Sequence, residues 1–240
     1  MKKLAFALVA MATVLAIAPA AFCSPIVWTD WSSATAGNPG SANGTMGGIT
    51  VTYSGQTSGL GIAYASSIGQ TLYPGYGSTT WSPNTSYVGG VVGNAPPTSY
   101  NSVALEGGPG SAGGNITFSS PITDPVLAIW SLGQSGTTAA FDFSEPFSIV
   151  ACGPSAEYGG GCITELSNNV LGAEGNGVIE FNGTYSSLAF TTPDYEDWYA
   201  FTVGEPTPEP SSLLLLGTGL LGLAVILFRK NKPAGLVLHS

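Results

Sequence analysis

The chain has 240 residues and a formal net charge of −9, with 44% hydrophobic and only 8% charged residues. Its five basic residues (Lys2, Lys3, Arg229, Lys230, Lys232) all lie near the ends, its one histidine is His239, and residues 24–204 carry twelve of the 14 acidic residues, all but Glu205 and Glu209. So anionic a middle has nothing to neutralise phosphate, which argues against nucleic acid and against docking on anionic lipid. Without Lys or His it also lacks Ser-His-Asp, Cys-His, Schiff-base and Ser-Lys chemistry.

Residues 1–23 open with Met1-Lys2-Lys3 and an uncharged apolar run, Leu4 to Ala18, then the small residues Ala18-Pro19-Ala20-Ala21. That order reads as a secretory signal peptide, a substrate for signal peptidase. Cleavage after Ala20, after Ala21 or after Cys23 fits the preference for small residues. The competing readings are a permanent anchor and acylation at Cys23, where Phe22 occupies a position that wants a small side chain.

Residues 24–204 are long enough for one domain with a real core. Short runs with β character recur between turn residues: Ile49–Tyr53, Asn115–Ser119, the continuously apolar Val126–Trp130, Ala139–Phe143, Phe147–Ala151, Val178–Phe181, Tyr185–Phe190 and Trp198–Val203. Val126–Trp130 suits a central strand. Ser144-Glu145-Pro146 looks like the turn of a hairpin between its two neighbours, and Asn182-Gly183 like another turn. About ten short strands with frequent turns predict an all-β fold, a single β-sandwich or jelly roll. Residues 54–100 are rich in Gly, Ser, Thr, Tyr, Pro and Asn, and read as long loops, a common place for binding residues, or as poorly ordered chain. Cys152 and Cys162 flank a glycine-rich loop and in an oxidising compartment read as a disulfide; two free thiols are the alternative.

Residues 205–240 begin with a Pro-rich spacer, Glu205 to Pro210. Ser211–Phe228 carries no charge, and a helix needs about 17–25 such residues to cross the hydrocarbon core. Arg229, Lys230 and Lys232 follow as the membrane stop, and positive charge stays cytoplasmic, so the preceding domain lies outside. Gly217-Thr218-Gly219-Leu220-Leu221-Gly222 matches the dinucleotide fingerprint, but it lacks the preceding strand and the later acidic residue that the fingerprint needs. In a membrane helix such glycines allow close helix approach.

Pro208-Glu209-Pro210-Ser211-Ser212, the Leu/Gly-rich span and Arg229-Lys230, in that order, resemble the PEP-CTERM sorting signal of bacterial exported proteins. The resemblance implies recognition by exosortase, a membrane cysteine transpeptidase, with cleavage near Pro208, Glu209 and Pro210. It further implies delivery to the cell surface or matrix of a bacterium that makes exopolysaccharide. Pro233 to Ser240 depart from the pattern, which usually stops soon after its basic cluster. Trp28–Trp31, Gly48–Gly55, Ile129–Gln134 and Phe201–Gly204 resemble a body that recurs before such tails, a resemblance that implies export and no particular activity.

Three constellations compete for a site in the domain. Asp194, Glu196 and Asp197, beside Tyr195, Trp198 and Tyr199, read either as oxygen ligands for calcium or as a solvated acidic turn before the last strand. Trp28, Trp31, Trp81, Tyr73, Tyr76 and Tyr87 read as a stacking platform for polysaccharide or as core aromatics. Glu106, Asp142, Glu145, Glu157 and Glu180 include enough carboxylates for glycoside hydrolysis, with nothing to select a pair. The sequence therefore predicts a non-enzymatic structural or adhesive protein of the cell surface or extracellular matrix, without a required cofactor. A carbohydrate-binding module, calcium-assisted, is the alternative, and a glycoside-active enzyme comes third. Export itself predicts that protein from the host begins at residue 21, 22 or 24 by mass spectrometry. A full-length chain in the cytoplasm would overturn it.

Overall fold

The computed structural model describes residues 24–35, 37–56, 64–65, 80–97, 102–196, 199–207 and 217–224. The expected signal peptide (1–23), the sorting residues Pro208, Glu209 and Pro210, and the basic cluster Arg229, Lys230 and Lys232 lie outside these. The chain divides into two units, Met1–Thr207 and Pro208–Ser240. In the second, residues 217–224 are helical. Among the described residues no helix is long and apolar enough to cross a membrane, which says nothing of β-barrels.

The first unit is all-β. Its described strands are β1 (Ile26–Trp28), β2 (Asp30–Thr35), β3 (Gly40–Met46), β4 (Ile49–Gly55), β5 (Tyr64–Ala65), β6 (Val103–Leu105), β7 (Gly114–Thr123) and β8 (Val126–Leu132), followed by β9 (Ala139–Phe143), β10 (Ser148–Cys152), β11 (Gly161–Cys162), β12 (Thr164–Leu166), β13 (Asn169–Gly172), β14 (Gly175–Glu180), β15 (Thr184–Thr191) and β16 (Tyr199–Pro206). They make two eight-stranded sheets. One runs β10-β14-β8-β16-β6-β5, with β1 paired to β16 and β11 to β14; the other runs β12-β13-β9-β15-β7-β4-β3-β2.

Alternation decides which side chains meet between the sheets. Tyr199, Phe201 and Val203 of β16 and Leu127 and Ile129 of β8 join Val51, Tyr53, Ile116, Phe141, Leu188 and Phe190 of the other sheet in one core. Phe141 is central to it. Its ring meets Phe190 edge-on at 5.1 Å and Tyr199 at 5.3 Å, and stacks on Phe143 at 5.7 Å.

The first sheet is covered on its other face as well. There Val126, Ala128, Trp130, Val178 and Ala200 pack with Ile26, Trp28, Trp81, Tyr87 and Val92. That second layer is why every residue of β8 is buried and why its sequence is continuously apolar. Part of the stretch read as loops is thus a cover, since Trp81, Tyr87 and Val92 are fully buried.

One connection differs from the sequence reading. Ala139–Phe143 and Phe147–Ala151 do not form a hairpin: β9 pairs with β13 and β15, whereas β10 pairs with β14 in the other sheet. Ser144-Glu145-Pro146 carries the chain across the core, with Phe143 and Phe147 both in it and 5.7 Å apart. Asn182-Gly183 also changes sheet, from β14 to β15. Turn chemistry fixes a reversal but not the partner, which the shared apolar layer chooses.

Removing the Phe141 ring should leave a cavity that its rigid aromatic neighbours cannot fill. Phe141→Ala is expected to cost about 3–5 kcal/mol in urea denaturation. A loss below about 1 kcal/mol would show that this cluster does not carry the core.

Candidate functional site

In the acidic turn before β16, Glu196 holds a neighbouring turn. Glu196 is only 2% exposed; its Oε2 accepts the Gly133 N–H at 2.6 Å and its own N–H donates to Glu106 O at 2.9 Å. Gly133 has φ +74°, and a Cβ there would collide with the Gly172 carbonyl. The carboxylate therefore caps a turn that only glycine can make. Asp194 is half-buried, and Asp197, the third member of the proposed calcium trio, lies outside the described residues. Among the described residues no group of three His, Cys, Asp or Glu could hold a metal ion.

The four described members of the aromatic platform are not on the surface. Trp31, Trp81 and Tyr87 are fully buried and Trp28 nearly so. Trp28 and Trp31 belong to different layers, because the chain changes sheet between β1 and β2. Thr29 sits at the change and binds Val203 O through both its N–H (2.9 Å) and its hydroxyl (2.8 Å). Large aromatic faces were drawn inward because the two layers offer them apolar contacts. Tyr73 and Tyr76 lie outside the described residues.

A buried polar network that the sequence reading missed joins β8, β14 and the cover. Ser131, at φ 56° despite its place in β8, donates its N–H to Asn176 Oδ1 at 2.8 Å and its hydroxyl to Glu174 Oε2 at 2.6 Å. Asn176 Nδ2 donates to Glu174 O at 2.8 Å, and the Tyr87 hydroxyl donates to Asn176 Oδ1 at 3.2 Å. A register shift between Gly175 and Gly177 accompanies the inward turn of Asn176, as bulges re-aim side chains. Burial, with the Glu157 charge behind it, pushes the Tyr87 phenol far above its ordinary value, so it stays a donor. The bonds of the network tie β8, β14 and the cover together. Only the positive φ of Ser131 and Glu174 would have marked it, and backbone angles are not visible in residue types.

The disulfide is formed. Cys152 and Cys162 are bonded, with Cα atoms 4.7 Å apart, joining the end of β10 to β11. The loop between them lays Tyr158 against Trp130, centroids 5.7 Å apart.

The candidate glycosidase carboxylates are scattered over the fold. Asp142 is on β9, Glu180 on β14, Glu145 in the sheet crossing, where it accepts the Ala189 N–H at 3.3 Å, and Glu106 and Glu157 in loops.

The outer face of the second sheet is the broad polar surface. Ser33, Asn43, Thr52, Thr117 and Ser187 are register partners across β2, β3, β4, β7 and β15. Thr35, Ser41, Ser54 and Asn115 form a second row beside them. All are exposed or half-exposed and none is charged. Adjacent members of a row stand about 4.8 Å apart and rows about 7 Å apart, so hydroxyls and amides form a neutral grid. Half of it escaped the sequence reading because β3 buries only Gly40, Ala42, Gly44 and Met46, which look like a loop rather than a strand.

The model of the PEP-CTERM protein-sorting motif matches residues 206–230. The chain thus carries a sorting motif recognised by exosortase and borne by exported proteins. No curated protein matches the chain, and no solved structure does.

Electrostatics of the domain run one way. Burial, and then the Asp194 charge, raise the Asp142 carboxyl above its ordinary value; burial, and then Asp124, raise Glu180. The folded state therefore keeps these protons to higher pH than the unfolded chain does. The contribution to stability is fully present below the ordinary carboxylate value and is lost as pH rises through the raised one. The urea midpoint should accordingly be higher at about pH 4 than at about pH 7, and Asp142→Asn should flatten the difference. A domain that weakens on acidification across that window would contradict this.

Proposed function

We propose that the protein is a non-enzymatic structural or adhesive component of the bacterial surface or extracellular matrix. In this reading a signal peptide over 1–23 starts export. The uncharged span 211–228 holds the chain in the membrane until exosortase acts. The domain then works outside the cell.

The observation that carries the adhesive role is the neutral hydroxyl and amide grid on the second sheet. A broad patch of neutral hydroxyls and amides suits repeated weak contacts with a hydroxyl-rich partner, where area and repetition matter more than one tight pocket. Anionic character elsewhere keeps such domains from collapsing onto each other.

The same grid favours a second reading, a carbohydrate-binding module for the host's own exopolysaccharide. Sugar hydroxyls can exchange hydrogen bonds with Ser, Thr and Asn without a charged partner. Calcium assistance would come through Asp194, Glu196 and Asp197, with one Glu196 oxygen also accepting the Gly133 N–H.

The deciding experiment takes the exported protein against that exopolysaccharide, with and without calcium, by binding isotherm and by release of reducing ends. Saturable binding, no release, and a loss of about tenfold in affinity on Thr52→Glu plus Thr117→Glu are expected, which is about 1.4 kcal/mol. Binding that survives both substitutions would remove the grid from the account. Release of reducing ends would overturn the non-enzymatic reading.

A further inference from the structure

The last strand ends where the sorting motif starts. The spacer expected from Glu205 onward is strand up to Pro206, and Thr207 donates both its N–H (2.9 Å) and its hydroxyl (2.8 Å) to Pro25 O. The motif match itself begins at residue 206. Chain bonded in a ladder is therefore joined directly to the Pro208-Glu209-Pro210 segment.

One short strand holds that end. Pairing of β16 with β6 covers Tyr199 to Phe201, and pairing with β8 stops at Gly204. Among the described strands, Glu205 and Pro206 have β1 alone as a register partner, through Val27 and Ile26. β1 is in turn gripped from its other side by residues 91–94. Ile26 N–H donates to Asn94 Oδ1 at 2.6 Å, Asn94 Nδ2 to Ile26 O at 3.1 Å, and Trp28 Nε1 to Asn94 O at 3.1 Å. Ser24 adds its N–H to Val91 O at 3.1 Å and accepts from Gly93 N at 3.0 Å. Ile26 Cγ2 and the Trp28 ring both lie where a Cβ on Gly204 would be, the ring 2.8 Å from that position, so the side chains of β1 are seated on β16 itself.

We propose that β1 is a clasp on the sorting signal: while it is closed, exosortase can engage the chain only beyond Thr207. The proposal rests on the reading that exosortase processes this chain. Enzymes that cut or transfer peptides take the substrate as an extended strand along their own groove. Residues whose N–H and C=O groups already serve a ladder are not available for that. Cleavage breaks one peptide bond. The enzyme's thiolate takes the acyl carbon, the tail leaves as an amine with the proton, and water or an acceptor amine releases the domain. The clasp joins positions 182 residues apart in sequence, so it closes only once the whole domain has been exported and has folded. Before that moment the same segment is open, and afterwards its access follows the fraction of molecules in which β1 has lifted.

The test uses the full-length chain in its host, followed by pulse-chase and mass spectrometry of the product. A Gly-Ser-Gly-Ser insertion between Thr207 and Pro208 is expected to speed conversion about fivefold or more, because it moves the signal clear of the clasp. Asn94→Ala is expected to speed conversion of the native-length chain but to add nothing to the inserted one, since both relieve the same block. The unaltered product should end beyond Thr207. Equal rates with and without the insertion, or an unaltered product ending at Glu205 or Pro206, would overturn the clasp alone. A chain that is never cleaved, inserted or not, would overturn the processing reading and the clasp with it.

Discussion

Strand β16 (Tyr199–Pro206) is hydrogen-bonded along its length to three others, with β8 on one side and β6 and then β1 on the other. Its alternate side chains Tyr199, Phe201 and Val203 enter the layer between the sheets, and Ala200 enters the layer under the cover. Even its hydroxyl is used, since Thr202 Oγ1 accepts the Trp31 indole N–H at 3.2 Å. Both cores, the return of the N-terminal strand and the take-off point of the sorting tail depend on this one strand lying in the middle of its sheet. A central position follows from pattern: two buried faces need a strand with small or apolar residues on both, which Ala200 and Phe201 provide.

A second constraint is the absence of any cation between residues 24 and 204. A buried carboxylate usually needs an ion pair or several donors. Here the donors are neutral: the Gly133 N–H for Glu196 and the Ser131 hydroxyl for Glu174. Amides do similar work, the buried Asn176 between β8 and the cover and the exposed Asn94 between the cover and β1. Each such bond adds roughly 1 kcal/mol when made and costs more than that when its partner is removed. The interior is therefore specified by hydrogen-bond geometry, with dispersion and apolar burial supplying most of the driving force. Strand ends are closed in the same spirit by a covalent tie, Cys152–Cys162.

Much of the fold was readable in residue order. Alternation in Ile49–Tyr53 and Asn115–Ser119 and the unbroken apolar run Val126–Trp130 marked β4, β7 and β8 because period two and two-sided burial leave direct traces in composition. Segments such as Gly40–Met46, where glycine and alanine fill the buried face, leave almost none. Aromatic residues misled in the opposite way. Trp28, Trp31, Trp81 and Tyr87 could serve a surface or a core equally well by type, and exposure is a property of neighbours that the local sequence does not name.

Residue types alone settle the chemistry that this domain lacks and the address it carries. A stretch without Lys, Arg or His has no basic groups whatever its fold, and the sorting motif at 206–230 is linear, read by its partner as order along the chain. Pairing is another matter. Whether Ser144-Glu145-Pro146 closes a hairpin or crosses the core, and whether Glu205 and Pro206 are spacer or strand, depended on which distant segments met them. Those meetings, Pro25 with Thr207 and Asn94 with Ile26, are set by packing of two whole sheets and join positions 182 and 68 residues apart. Contacts so remote in sequence are chosen by the burial they complete together, which no local pattern encodes.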